Sequence, residues 1–260
     1  MPNYQDLLYE GKAKKIFSSE SSDQVFIEFK DDATAFNAQK KSIFDGKGII
    51  NCQISSDIYR YLENKGLSTH FINQVDKNII LAKSVKILPI EIVMRNKAYG
   101  SLCKQTPILP GKKLSPPLLE FYFKDDDLGD PLLTVERLRL LNIVSETRLT
   151  EISNMARKIN SLLIDYFNEL DLELVDFKIE VGTDNYQNLI LADDISPDTC
   201  RLWDKRIDDE SRRILDKDRF RKDLGGVLDG YGEILKRIQY RRNKSADPCN
   251  LSMEQDFKKL

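Results

Sequence analysis

The strongest constraint on this chain is a succession of short strand-like runs between Leu7 and Arg95, broken by a single helical stretch. Leu7–Glu10, Lys14–Ser18 and Val25–Lys30 are bounded by Gly11 and by the turn-rich SSESSD. Asp31–Gly48 reads as a polar loop. Ile49–Lys65 then carries Ile50, Ile54, Ile58, Tyr61 and Leu62 on one helical face, with Gly66 as its stop. Further runs follow at Thr69–Gln74, Asn78–Ala82, Ser84–Leu88 and Ile90–Arg95. Strands that follow one another without crossover helices predict antiparallel sheet, not a doubly wound parallel one.

The second half mixes the two periods. Residues 105–118, QTPILPGKKLSPPL, hold four prolines and a glycine and read as a long loop. Glu146–Asp171 is the clearest helix, with apolar positions recurring at helical spacing from Ile152 to Leu170. Glu173–Val181 and Asn188–Ala192 form a hairpin around GTDNYQ, and Asp218–Lys222 and Val227–Tyr240 read as helices. Residues 241–260 lose periodicity and read as a polar tail. The expectation is an α+β chain of two lobes with mostly antiparallel sheets and flanking helices. It divides into an N-terminal lobe (1–88), a central lobe (89–206), a helical segment (207–240) and the tail.

Composition removes several chemistries. Lys and Arg total 40 against 42 Asp and Glu in 260 residues, so no net field gathers nucleic acid or anionic membrane. The opening MPNYQDLLYEGK lacks a signal-peptide pattern, no apolar run approaches the ~18 residues of a spanning helix, and four scattered cysteines fit reduced thiols. A cytoplasmic protein is expected. The single histidine, His70, excludes an HExxH or His₃ zinc site and, without a GxSxG elbow, a serine triad. His70 is read as structural, which leaves carboxylates, lysines, arginines and a metal to run any reaction.

Four clusters offer those groups. Tyr9-Glu10-Gly11-Lys12-Ala13-Lys14-Lys15 sets a glycine and lysines on a strand–turn–strand, which suits phosphate oxygens. It is not a Walker A loop, and alone it reads as well as a solvated basic turn. PIEIVMRNKAYGS delivers Arg95 and then Ser101, a usable phosphate site or an ordinary edge strand and turn. In LVDFKIEVG a period of two puts Asp176, Lys178 and Glu180 on one face and Val175, Phe177, Ile179 and Val181 on the other. The partner strand ends in LADDISPD, so an Asp there, opposite Glu180, would give two hard oxygen ligands for Mg²⁺. The alternative is a half-exposed amphipathic strand. CRLWD and DKDRFR supply arginines that also fit a charged helix surface. The basic run Lys236–Lys244 is read as complementing the dipole of the last helix.

In this order, LYEGKAKKIF, PIEIVMRNKAYGS, LVDFKIEVG, SPDTCRLWD and DKDRFRKDLGG resemble the phosphoribosylaminoimidazole-succinocarboxamide synthase (SAICAR synthetase) family, from about Leu8 to Ile238. Departures are small: Tyr99, Val181 and Thr199-Cys200 stand where the family usually has other residues.

The resemblance implies a kinase-like or ATP-grasp-like nucleotide cleft and a ligase that joins L-aspartate to the carboxylate of 5-amino-1-(5-phospho-ribosyl)imidazole-4-carboxylate (CAIR). ATP becomes ADP and phosphate, with Mg²⁺ required. It implies that Gly11, Lys12, Ala13 and Lys14 cradle the ATP phosphates, that Lys83 and the backbone near Ile87 form the adenine hinge, and that Glu180 and Asp193 hold Mg²⁺. Lys178 is expected to neutralise charge on the transferring phosphoryl group, with Lys124 assisting from a facing loop. The resemblance further implies that Arg95, Ser101 and Arg201 hold the phosphoribosyl group, while Arg221, Asp198 and Lys217 line the imidazole or aspartate side. Asp176 is a candidate, by position only, for taking the amine proton. A homo-oligomer, with a dimer favoured, is expected. The competing readings are a small-molecule kinase and a non-catalytic ATP-binding module.

Overall fold

A computed structural model describes residues 6–36 and 39–246. The chain opens with β1 (Leu7–Glu10), β2 (Lys14–Ser18) and β3 (Gln24–Phe29), followed by a small separate hairpin, β4 (Asp32–Ala35) and β5 (Lys40–Ile43). Helix α1 (Lys47–Asn64) precedes β6 (Phe71–Asp76) and β7 (Ile79–Lys83). These strands form a five-stranded sheet in the order β1-β2-β3-β7-β6, antiparallel throughout. One face is covered by α1, whose Ile54, Ile58, Tyr59 and Leu62 are fully buried. Each such side chain contributes roughly 1.5–3 kcal/mol by leaving water.

The second sheet starts with β8 (Lys86–Lys97). A short α2 (Ser101–Gln105), β9 (Lys113–Phe123), β10 (Leu132–Leu133), α3 (Val135–Leu140) and α4 (Glu146–Asn168) come next. They are followed by β11 (Leu172–Thr183), β12 (Leu189–Ala192), β13 (Cys200–Asp204), α5 (Asp218–Arg221) and α6 (Val227–Ala246). The order is β10-β9-β8-β11-β12, with β13 also paired to β11, all antiparallel. Ser145 caps α4 by accepting from the Arg148 N–H at 3.2 Å. The apolar stripe of α4, including Ile152, Ile159, Leu163 and Phe167, is wholly buried in the main core.

The mixed α/β architecture with antiparallel sheets is the expected one, and four local expectations are corrected. Asp31–Gly48 is not all loop: Ala33 and Ala35 of β4 pack on Phe220, Val227 and Tyr231, and small side chains give little sequence signal. The two runs flanking Pro89 are one strand, because the β8–β11 register shifts between Glu180 and Gly182 and a bulge accommodates the proline. Residues 113–118 are strand although Pro116 and Pro117 lie there. The β9 register jumps from Leu118 to Lys113 against Arg95 and Lys97, so the prolines fall in an irregularity. Helix α6 continues to Ala246, past the expected start of the tail; residues 247–260 lie outside the described residues. Its basic run has specific partners: buried Arg237 donates to Asp204 and to the Leu170 carbonyl, and Arg241 to Glu169.

The two sheets meet through the α1–β6 connection. The His70 N–H donates to the Leu191 carbonyl at 2.9 Å, and the Leu191 N–H donates to Ser68 at 3.1 Å. Tyr59 of α1 donates its hydroxyl to the carbonyls of Ala192 and Asp193, at 3.1 and 2.9 Å. The first sheet therefore fixes the end of β12, where the acidic residues stand.

Candidate active site

Between the sheets lies a cleft of about 980 Å³. Every residue singled out above as a site candidate lines it, from Gly11 on the β1–β2 turn to Arg221 on α5. The walls also carry His70, Glu91, Asp126, Asp130 and Asp194, which were not assigned.

Strand β11 organises the floor. Its Asp176 lies in register with Arg95 of β8 on one side and Arg201 of β13 on the other. Arg201 Nη1 donates to both Asp176 oxygens at 3.0 and 2.8 Å, and Arg95 Nη1 donates to Oδ2 at 3.2 Å. Arg95 is further held by Glu120 at 2.6 Å and donates to the Ser101 hydroxyl at 2.9 Å. Arg201 Nε donates to Asp218 at 3.1 Å. Burial works against the Arg201 charge, but Asp176 and Asp218 outweigh it and raise its pKa above the usual value. The result is a row of two fixed guanidiniums beside a serine hydroxyl, suited to a phosphate dianion. Gly100 makes the row possible: a Cβ there would lie 2.8 Å from the Arg201 guanidinium, and its φ of +61° is one that glycine tolerates.

Two pairs further along β11, Glu180 stands opposite Glu91 of β8. Like charges facing each other repel. Lys178 Nζ resolves this, lying 2.8 Å from Glu180, 3.3 Å from Glu91 and 2.8 Å from Asp193. Lys14 pairs with both Asp193 and Asp194, and Lys124 donates to Glu180. Burial opposes the Asp193 charge, but Lys14 and Lys178 more than offset it and hold its pKa well below the ordinary carboxylate range. Asp193 adopts a left-handed backbone (φ 66°), fixed by the Tyr59 hydrogen bond.

Glu180 and Asp193 fit a divalent hard cation, since both carboxylates converge on the Lys178 ammonium at 2.8 Å. Among the described residues no cluster of three His, Cys, Asp or Glu side chains forms a closed metal cage. Two carboxylates completed by phosphate oxygens and water is the usual arrangement for Mg²⁺.

The remaining candidates sit around these two centres. Lys12, at the mouth, donates to Asp126 at 2.6 Å, spanning the turn after β1 and the loop after β9. Lys83 donates to the Thr69 carbonyl at 3.1 Å, and Ile87 lines the same wall. Gly182 lets this wall approach β11, since a Cβ there would lie 2.5 Å from the Lys86 carbonyl oxygen and from Val85 Cγ1. Asp198 accepts from Lys47 at 2.7 Å, Asn51 at 3.0 Å and Tyr231 at 2.7 Å. Lys217 and Arg221 also line the cleft, and the charges of Asp198 and Arg221 act on Lys217. His70 is buried, consistent with a structural role, and burial followed by the nearby Lys14 charge lowers its pKa to about 4.

The family model of SAICAR synthetase matches residues 7–238. The chain belongs to the SAICAR synthetase family. A phosphoribosylaminoimidazole-succinocarboxamide synthase from Synechococcus sp. (strain CC9605) is 55% identical over 239 residues, spanning 92% of this chain and 96% of the relative. The crystal structure of that synthase from Ehrlichia chaffeensis superposes with a TM-score of 0.86 at 40% identity, covering 90% of this chain and 98% of the other. A SAICAR synthetase in complex with ADP gives 0.84 at 42% identity, over 88% and 96%. Membership in the SAICAR synthetase family makes this chain an enzyme, a ligase, as its motifs implied.

Proposed function

We propose that this cleft uses ATP and Mg²⁺ to phosphorylate the carboxylate of CAIR and then joins it to L-aspartate, giving SAICAR, ADP and phosphate in purine biosynthesis. The observation that carries the reading is the placement of two charge arrays on one strand. Asp176 of the Arg95–Asp176–Arg201 row and Glu180 of the Lys178–Glu180–Asp193 cluster lie about 14 Å apart along β11, at ~3.4 Å per residue. A phosphoribosyl-imidazole can lie along that strand with its phosphate on the arginines and its carboxylate toward the acidic end.

A carboxylate is ionised at neutral pH and resists attack by an amine, because oxide is a poor leaving group. Phosphorylation turns that oxygen into a leaving group, and the transfer requires positioning and neutralised charge more than a strong base. When bound, Mg²⁺ would neutralise phosphate oxygens, with Glu180 and Asp193 as its protein ligands. Gly11, Lys12, Ala13 and Lys14 hold the ATP phosphates. Lys83 and the backbone near Ile87 form the adenine wall. Lys178 and Lys124 neutralise the transferring group. Arg95, Ser101 and Arg201 hold the ribose phosphate. Asp176, engaged by both guanidiniums, positions them and is not assigned a proton. Asp198, Lys217 and Arg221 face the imidazole or aspartate.

We also propose a cytoplasmic homodimer, which sedimentation at micromolar concentration tests directly. The function is tested by supplying Mg²⁺-ATP, CAIR and each amino acid in turn. ADP release that requires both CAIR and L-aspartate is expected. Equal release with CAIR alone would show a kinase.

A further inference from the structure

Six lysines line the cleft: Lys12, Lys14, Lys83, Lys124, Lys178 and Lys217. Five of them are engaged. Lys12 meets Asp126, Lys14 meets Asp193 and Asp194, Lys83 meets the Thr69 carbonyl, Lys124 meets Glu180, and Lys178 meets three carboxylates. Only Lys217 Nζ donates no hydrogen bond and has no carboxylate within 4.0 Å among the described residues. Its backbone is nonetheless fixed. The Lys217 N–H donates to the Pro197 carbonyl at 3.0 Å, and its own carbonyl accepts from Phe220 and Arg221 at the start of α5.

The surroundings explain why no anion reaches it. Asp198, whose charge acts on Lys217, is held by Lys47, Asn51 and Tyr231. Asp218 is held by Arg201 and Arg221. Lys47, from α1, and Arg221, from α5, set two positive charges near the Lys217 ammonium, against the negative charges of Asp198 and Asp194. Burial lowers the Lys217 pKa, Arg221 and Lys47 add to that, and the net shift is downward despite Asp198. A lysine desolvated beside other cations gives up its proton more readily than an exposed one, which suits it to act as a base.

We propose that Lys217 is the general base of the amide-forming step, the group that takes the proton from the α-amine of aspartate. This rests on the ligase reading above. Aspartate enters as its α-ammonium, and neutral Lys217 Nζ takes one N–H proton, which frees the nitrogen lone pair. That lone pair forms the C–N bond at the acyl-phosphate carbon. The bond from that carbon to the phosphate oxygen breaks, and phosphate leaves with the electron pair and takes the second proton from the nitrogen. The Lys217 ammonium releases its proton to water once the product departs. Asp176 is unsuited to this part because two guanidiniums engage its oxygens.

The test uses Lys217→Arg, with Lys217→Gln in parallel, and two nucleophiles: L-aspartate and hydroxylamine, which is largely uncharged at neutral pH. ADP affinity matching wild type certifies the cleft in each variant. The proposal predicts that Lys217→Arg lowers aspartate-dependent amide formation by ~10²-fold or more, while CAIR hydroxamate still forms at close to the wild-type rate. Arginine keeps the positive charge but stays protonated. Near-normal amide formation in Lys217→Arg would show a cationic anchor and overturn the proposal. Loss of the hydroxamate as well, with ADP affinity intact, would place Lys217 at phosphoryl transfer and also overturn it. If wild type itself made no hydroxamate or amide from CAIR, the underlying ligase reading would fall first.

Discussion

Lys178 and Asp193 lie fifteen residues apart in sequence, and the lysine ammonium donates to the carboxylate at 2.8 Å in the cleft. The same ammonium sits 2.8 Å from Glu180. The two proposed Mg²⁺ ligands are thus already converged on a cation, and their repulsion is neutralised before nucleotide arrives.

Replacing Asp193 by Asn removes one hard anionic ligand and keeps the shape. Even outer partners of a metal site are worth ~10–100-fold in metal affinity. The Mg²⁺ concentration needed for half-maximal ADP binding, read by calorimetry, is expected to rise by about tenfold or more. A titration superimposable on wild type would remove Asp193 from the metal site.

Arg201→Lys keeps the charge opposite Asp176 but loses the fork that reaches Asp176 and Asp218 together. Hydrogen bonds to charged groups contribute ~1.5–3 kcal/mol, so kcat/KM for CAIR should fall by roughly 10–100-fold. KM for ATP should stay within about twofold, because the row lies at the other end of β11. Steady-state kinetics varying each substrate separates the two.

Gly182→Ala puts a methyl group 2.5 Å from the Lys86 carbonyl and from Val85 Cγ1, so the wall bearing Lys83 and Ile87 must move. Overpacking of this kind costs about 1–3 kcal/mol. ADP affinity should fall by ~5-fold or more. Unchanged affinity would mean that this wall does not touch the nucleotide.

His70 links folding to pH. Its pKa falls from 6.5 when unfolded to about 4 when folded, so the unfolded chain binds the extra proton between those values. Stability is complete above pH 6.5 and is lost as pH falls toward 4. Between pH 7 and pH 5 this one group removes about 2 kcal/mol. Urea unfolding at the two pH values should show that part of the loss in wild type and its absence in His70→Gln.

Much of this arrangement was legible in the sequence because the functional residues sit in short, strongly patterned segments. The alternation in LVDFKIEVG put Asp176, Lys178 and Glu180 on one face, and the structure turns that face into the cleft. Other features had no local signal. Lys47 is 1% exposed at the start of α1, yet in sequence it is one more lysine in a polar stretch. Its role appears only because Asp198, far along the chain, meets it. Glu91 read as a strand residue, and only the register against Glu180 shows why Lys178 must lie between them. The prolines at 89, 116 and 117 broke the strand pattern in sequence, while register irregularities accommodate them in the sheet.

The central claim is that the substrate carboxylate is activated as an acyl phosphate before the amine attacks. CAIR labelled with ¹⁸O in its carboxylate oxygens tests it most directly, with Mg²⁺-ATP and L-aspartate present. Each turnover should move one labelled oxygen into inorganic phosphate, read by mass spectrometry. Phosphate released without label, at the same rate as amide product, would contradict it.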